Sequence, residues 1–251
     1  MKKNFSMKYV CAGLFVVFSF LFNDEVFAQN SCIEVKKGKL LYSNPFAEPD
    51  NVQNWIMEGP GRVEFKNGWM EMYSPGEEFH HVYWCPEIFP GSFIAEWEAQ
   101  NLNTGAGLCI VFFSAMGKNG EDIFDPAFPA RDGTFSHYTK SEELNCYHIS
   151  YYANGRDKPG REISHLRKNS GFHLVYKGIP GIPTQSTEVH KLKLIKADSR
   201  ILMYVDDRKV IDWEDDGKEY GPVLQEGKIG FRQMQWTHFR YRNFKVYAIK
   251  N

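Results

Sequence analysis

In the run Asn145 to Tyr152 the two-residue period of a β-strand places Cys146, His148, Ser150 and Tyr152 on one face and Asn145, Tyr147, Ile149 and Tyr151 on the other. The first face is small and polar enough to line a groove. An imidazole ionises at about pH 6.5, so His148 can take or give a proton near neutrality, and the Tyr152 hydroxyl beside it is a second proton carrier. His81 and His173 are further catalytic candidates. His81 shares a strand face with Tyr83, itself a candidate sugar-binding residue, and His173 opens a strand just after Arg167-Lys168. Arg167 and Lys168, with Gln233 and Arg242 from the late cluster Arg232, Gln233, Arg240 and Arg242, are candidates for holding an anionic ligand, because a guanidinium grips a carboxylate through two parallel hydrogen bonds.

Two other constellations compete. Glu96 and Glu98 fall on one strand face roughly 6–7 Å apart, which keeps open the paired carboxylates of a glycoside hydrolase; Glu98 is also a candidate substrate-binding residue. Because the opposite pleat gives Phe93 and Trp97 to the core, solvated glutamates are the ordinary alternative. His80-His81 lacks the HxH or HxxxH spacing of a metal site, and the cysteines form no CxxC pair, so neither a metal nor another cofactor is expected for catalysis. Asp122 and Asp125 have turn-forming spacing and read as structural residues or as ligands of a structural calcium ion. Cys85, Cys109 and Cys146 each sit in an apolar or aromatic run, as buried thiols do, and no disulfide pairing is assigned.

Strands must position these groups. Alternating runs separated by turn residues recur at Ser92 to Gln100, Gly107 to Ala115, Asn145 to Tyr152, Phe172 to Tyr176, Val189 to Ala197, Ile201 to Val205, Lys209 to Trp213, Gly227 to Met234 and Arg240 to Ile249. With no amphipathic helix between them, they predict two packed antiparallel sheets. Asn67-Gly68 is the two-residue signature of a type I′ hairpin and sets Phe65 opposite Met70 and Val63 opposite Met72. Two long stretches, Met116 to Leu144 and Ala153 to Gly171, break the rhythm and are read as loops bordering one end of a groove.

Lys2, Lys3 and Lys8, an apolar run from Val10 to Phe22 and Val26-Phe27-Ala28 predict a signal peptide over residues 1–28. The rest, residues 29–251, is then a single exported domain, periplasmic or secreted. Lipidation at Cys32 is disfavoured, since Gln29-Asn30-Ser31 lacks the apolar residue expected upstream. No later stretch approaches the roughly 20 apolar residues of a membrane span. A net charge of −1 with interspersed signs offers no basic field for nucleic acid, whereas 16% aromatic residues among Asn, Asp, His and Arg suit an oligosaccharide or polysaccharide partner.

The closing segment, RILMYVDDRKVIDWEDD, GKIGFRQM and YRNFKVY, resembles the last strands of concanavalin-like domains. Upstream, VYWCPEIFPGSFIAEWE, GLCIVFFSA, GEDIFDP, NCYHISYY and LRKNSGFHLVYKG extend the likeness, so that from about Val82 to Tyr247 the chain resembles the YesU-like family of bacterial domains of unknown function. The resemblance implies an all-β, two-sheet antiparallel jelly-roll sandwich of the concanavalin A-like or laminin G-like kind, and an association with breakdown of polysaccharides containing rhamnose and uronic acid. Fold does not fix reaction. With the His/Tyr strand and its neighbouring cations, that setting favours β-elimination on a uronic acid residue of ulvan- or rhamnogalacturonan-derived oligosaccharides. The enzyme would be a dehydratase at the non-reducing terminal uronate, or else an exo-lyase. The alternatives are a non-catalytic carbohydrate-binding protein and a hydrolase using Glu96 and Glu98.

Overall fold

A computed structural model of the protein describes residues 35–76, 79–155 and 163–250; the expected signal peptide and Cys32 lie outside them. Along the chain come β1 (Lys36–Asn44), a 3-10 turn (Pro49–Val52), β2 (Ile56–Glu58), β3 (Arg62–Lys66), β4 (Trp69–Tyr73), β5 (His81–Trp84), β6 (Phe93–Asn101) and β7 (Gly107–Gly117). The single-turn helix α1 (Ser136–Thr139) precedes β8 (Leu144–Asn154), β9 (Ile163–Asn169), β10 (His173–Pro180), β11 (Val189–Ala197), β12 (Arg200–Val205), β13 (Arg208–Glu214), β14 (Lys228–Gln233) and β15 (His238–Lys250).

One sheet has the order β13-β12-β11-β6-β15-β4-β3, with β1 also paired to β15, and the other runs β10-β9-β8-β7-β14-β5-β2. Every ladder between these strands is antiparallel. The expected hairpin is present: Asn67 and Gly68 have φ of 53° and 74°, and Phe65 faces Met70 while Val63 faces Met72. Between the sheets lies the main core, with Met70, Trp97, Leu194 and Phe244 from the first sheet against Tyr83, Val111, Ile149 and Phe231 from the second. Trp97 and Phe231 meet edge to face at 5.4 Å. Cys85, Cys109 and Cys146 are buried free thiols.

The long stretch before β8 is not an open loop. It folds back over the outer face of the second sheet, where Ile123 and Tyr138 join Val82, Trp84, Phe112, Ala115 and Cys146 in a second apolar cluster edged by Phe124, Phe128 and Phe135. Gly133, at φ 90°, lies so close to the His80 carbonyl that a Cβ has no room, and its N–H bonds the Tyr138 hydroxyl at 3.1 Å. This contact seats α1, and with it Phe135, on the sheet. The second long stretch contains β9, a strand that the sequence pattern hides: Leu166 gives it an apolar core contact, while Lys168 lies on the same side. Among the described residues no helix is long and apolar enough to cross a membrane.

Candidate functional site

The loop over the second sheet stops short of its whole outer face. Beyond its edge is a cavity of about 340 Å³ lined by Leu108, Ile110, Phe135, His148, Ser150, His165, Arg167, Phe172 and Met234. That volume falls in the roughly 300–1,000 Å³ range of small-ligand sites. Alternation on three strands builds it: Leu108 and Ile110 on β7, His148 and Ser150 on β8, His165 and Arg167 on β9. The ladder sets His148 opposite Arg167 and Ser150 opposite His165, so the two histidines are diagonal neighbours on one face.

His148 is held from below and roofed from above. The Asn169 amide nitrogen donates to its Nδ1 at 2.8 Å, which leaves the proton of the neutral ring on Nε2. Phe172 stacks on the imidazole at 5.9 Å, Phe135 meets it edge-on at 5.8 Å, and the two phenyl rings touch each other at 5.4 Å. Arg167 lays its guanidinium on the Phe172 ring, 3.7 Å from the centroid, and donates to the Phe172 carbonyl at 2.7 Å. The imidazole is thus only 2% exposed rather than open to solvent, although Cys146 and Ser150 beside it are small.

Of the residues singled out from the sequence, the structure brings His148 and Arg167 into this cavity. Tyr152 is not with them. Ser150 faces Ile110 and Tyr152 faces Cys109, so β8 carries an extra residue there, a bulge that returns Tyr152 to the core side. Its ring packs on Phe239 at 4.9 Å, its hydroxyl bonds Asn101 and the Thr184 carbonyl, and burial raises its pKa. Tyr83 also faces the core, at 5.1 Å from Trp55. Gln233 is fully buried and donates to the Tyr241 hydroxyl at 3.1 Å. His81, opposite Gln233, is fully buried with Nδ1 2.9 Å from Ser74 Oγ; burial, with Arg232 and His80 nearby, depresses its pKa to about 3. Lys168 points inward to a buried ion pair with Asp215 at 2.7 Å. His173 stacks on Tyr220 at 4.4 Å, on the edge strand β10.

Glu98 and Arg242 do meet, at 2.6 Å, but on the outer face of the other sheet. There Glu98 borders a second cleft of about 380 Å³ with Glu96, which Lys37 pairs at 2.6 Å. Two carboxylates each neutralised by a cation are poorly placed to work as a general acid and a nucleophile. Asp122 accepts from the Phe124 N–H and pairs with Lys228 at 3.0 Å, and Asp125 accepts from the Ala127 N–H, so both carboxylates serve turns. No cluster of three or more potential metal ligands occurs among the described residues. Sequence reasoning missed His165, whose strand lay in a stretch read as a loop. The signal was the shared parity of His165 and Arg167.

Comparison with known proteins agrees with this architecture. A family described as a domain of unknown function, DUF1961, matches residues 39–246. The uncharacterized protein YesU of Bacillus subtilis (strain 168) is 38% identical over 218 residues, 84% of this chain and 97% of that protein. A crystal structure of a Bacillus subtilis protein of unknown function with a galectin-like fold superposes with a TM-score of 0.80 at 38% identity, covering 86% of this chain and 98% of that one. The exoplasmic/lumenal domain of VIP36, in a form bound to Ca²⁺ and Man3GlcNAc, shares the fold at a TM-score of 0.58 and 11% identity, over 85% of this chain and 92% of that one.

Proposed function

Because the chain belongs to the DUF1961 family and folds as a galectin-like sandwich, we propose that it is a carbohydrate-active protein that performs β-elimination on a uronic acid residue in the His148 cavity. The observation that carries the reading is the pair of histidines beside an arginine on one face of one sheet. The hydrogen α to a uronate carboxylate is weakly acidic. A base must remove it while the developing charge on the carboxylate is stabilised, and an acid must protonate the departing oxygen. His165 takes the hydrogen as a proton; the electron pair becomes the new carbon–carbon double bond; the bond to the neighbouring oxygen breaks. His148, with its proton held on Nε2 by Asn169, protonates that oxygen. Arg167 keeps the wall positive. On a non-reducing terminal uronate the leaving group is water, a dehydration; on a glycosidic oxygen it is the rest of the chain, an exo-lyase step. The walled cavity favours the terminal residue. The signal peptide expected at residues 1–28 would deliver the protein to the periplasm or the cell exterior, where such fragments of rhamnose- and uronate-containing polysaccharides arise.

Incubation with ulvan- and rhamnogalacturonan-derived oligosaccharides should generate the ultraviolet absorbance of a conjugated unsaturated uronate. By mass spectrometry the product should be one water lighter. His148→Ala should slow this by about 10²- to 10⁴-fold in the protein that remains folded, and should also lower the melting temperature, because it empties a buried, hydrogen-bonded position. Absence of the chromophore across the panel sinks the reaction. Unaltered ligand recovered after measurable binding would instead support recognition without turnover, a reading favoured by the aromatic roof of Phe135 and Phe172 and by the sugar-bound state of VIP36.

A further inference from the structure

Arg232 follows the core residue Phe231 on β14, so its side chain leaves the sheet on the cavity side, flanked by Val82 on β5 and by the cavity residue Ile110 on β7. It is fully buried, and none of its three guanidinium nitrogens has a hydrogen-bond partner among the described residues. Its neighbours are aromatic faces: Phe135 at 4.7 Å and Tyr138 at 5.3 Å. Glu58, the carboxylate that acts on it electrostatically, is already held by Arg131 at 2.6 Å and by the Trp84 indole N–H at 2.8 Å. Burial lowers the Arg232 pKa only to about 10, so the group stays charged at neutral pH. A buried cation whose donors are unmatched is costly, and contact with π faces recovers part of that cost.

Phe135 lies between this cation and the catalytic candidate. The same half-buried ring covers Arg232, touches His148 at 5.8 Å and forms part of the cavity wall. Arg167, by contrast, is engaged with Phe172 through both its face and its Nη1. We infer that Arg232 is a carboxylate-binding residue shut behind Phe135, and that an acidic sugar opens the site by displacing the phenyl ring and pairing with the guanidinium. The inference rests on the reading of the cavity as a uronate site. It adds a gate to that site: the ring gives up its place over Arg232 to an anionic oxygen group that satisfies those donors. Neutral sugars gain nothing from the exchange, so the gate is also a selector.

The test is titration of the full chain, by calorimetry or NMR, with glucuronate, its neutral amide and glucose 6-sulfate. The unaltered protein should prefer glucuronate to the amide at least tenfold. Phe135→Ala should tighten glucuronate by about tenfold, since the closed state no longer competes. Arg232→Gln should erase the preference for the acid in both backgrounds. If Arg232→Gln does not fold, Phe135→Ala decides alone: unchanged or weaker glucuronate binding overturns the gate. Equal binding of acid and amide, or tighter binding of the sulfate, overturns the carboxylate assignment. An acid preference that depends on Arg232 without any new chromophore would sink the elimination reaction and leave this inference standing. Chromophore formation without that preference would do the reverse.

Discussion

His81 sits against Gly61 with one nitrogen on Ser74 and the other unpartnered among the described residues. Its neutral form is the one the fold accepts. With a folded pKa of about 3 against about 6.5 unfolded, its contribution to stability is fully present above about pH 6.5 and is lost as the pH falls toward 3. The slope should be on the order of 1 kcal/mol per pH unit in that window. His81→Gln should lower stability at neutral pH yet flatten its fall between about pH 6 and pH 4; urea melts at several pH values would show it, and equal slopes would contradict it. Legibility from sequence divides at this scale by what alternation can see. The cavity position of His148 follows from counting twos. His81 obeys the same count but shares its face with Tyr83, a core residue, and nothing in His-His-Val-Tyr-Trp says which face is inward. Tyr152 was lost to a bulge, which inserts a residue without leaving a mark in composition.

Between strands, the inward Lys168 is the clearest case of a charge serving architecture. Its ammonium holds Asp215 at 2.7 Å and the Gly221 carbonyl at 2.7 Å, while the Tyr147 hydroxyl donates to the same carboxylate and the Leu224 N–H donates to that hydroxyl. Burial, followed by the bond to Asp215, raises the Tyr147 pKa, so the phenol stays protonated. Together these bonds fasten the link between β13 and β14 onto β8 and β9. Lys168→Met should therefore destabilise the fold by about 3–5 kcal/mol, because it strands a buried carboxylate, and pairing it with Asp215→Leu should restore much of the loss. Chemical denaturation of the two variants checks this; a small loss in the single variant would return Lys168 to the ligand-binding candidates. Most strands were readable because apolar residues mark their inner positions. β1, β2 and β9 were not, since β1 is largely exposed, β2 is only three residues long and β9 spends an inward position on this lysine.

Across the whole molecule, two outer faces are separated by a core about 10 Å thick. One carries the His148 cavity. The other carries Trp69 flanked by Arg240 and Arg242 at 4.6 and 4.1 Å, with Glu98 and Glu96 beside them. Groups so placed should act independently. Glu98→Gln should leave elimination within about twofold of the unaltered protein, and its effect should add to that of His148→Ala; a loss comparable to His148→Ala would revive the hydrolytic carboxylate pair. Knitting the first sheet together falls to β15, which pairs with β1, β4 and β6. All three of its partners precede it by most of the domain's length, so a ribosome has made nearly every strand before the first sheet can close. Until then β6 and β4 each wait with an open row of backbone donors and acceptors, the condition in which a nascent chain is most exposed to mispairing with its neighbours. Closure of the first sheet thus waits on the non-local pairing of β15, which high contact order slows, and a chaperone that shields the chain would have to stay bound until β15 arrives.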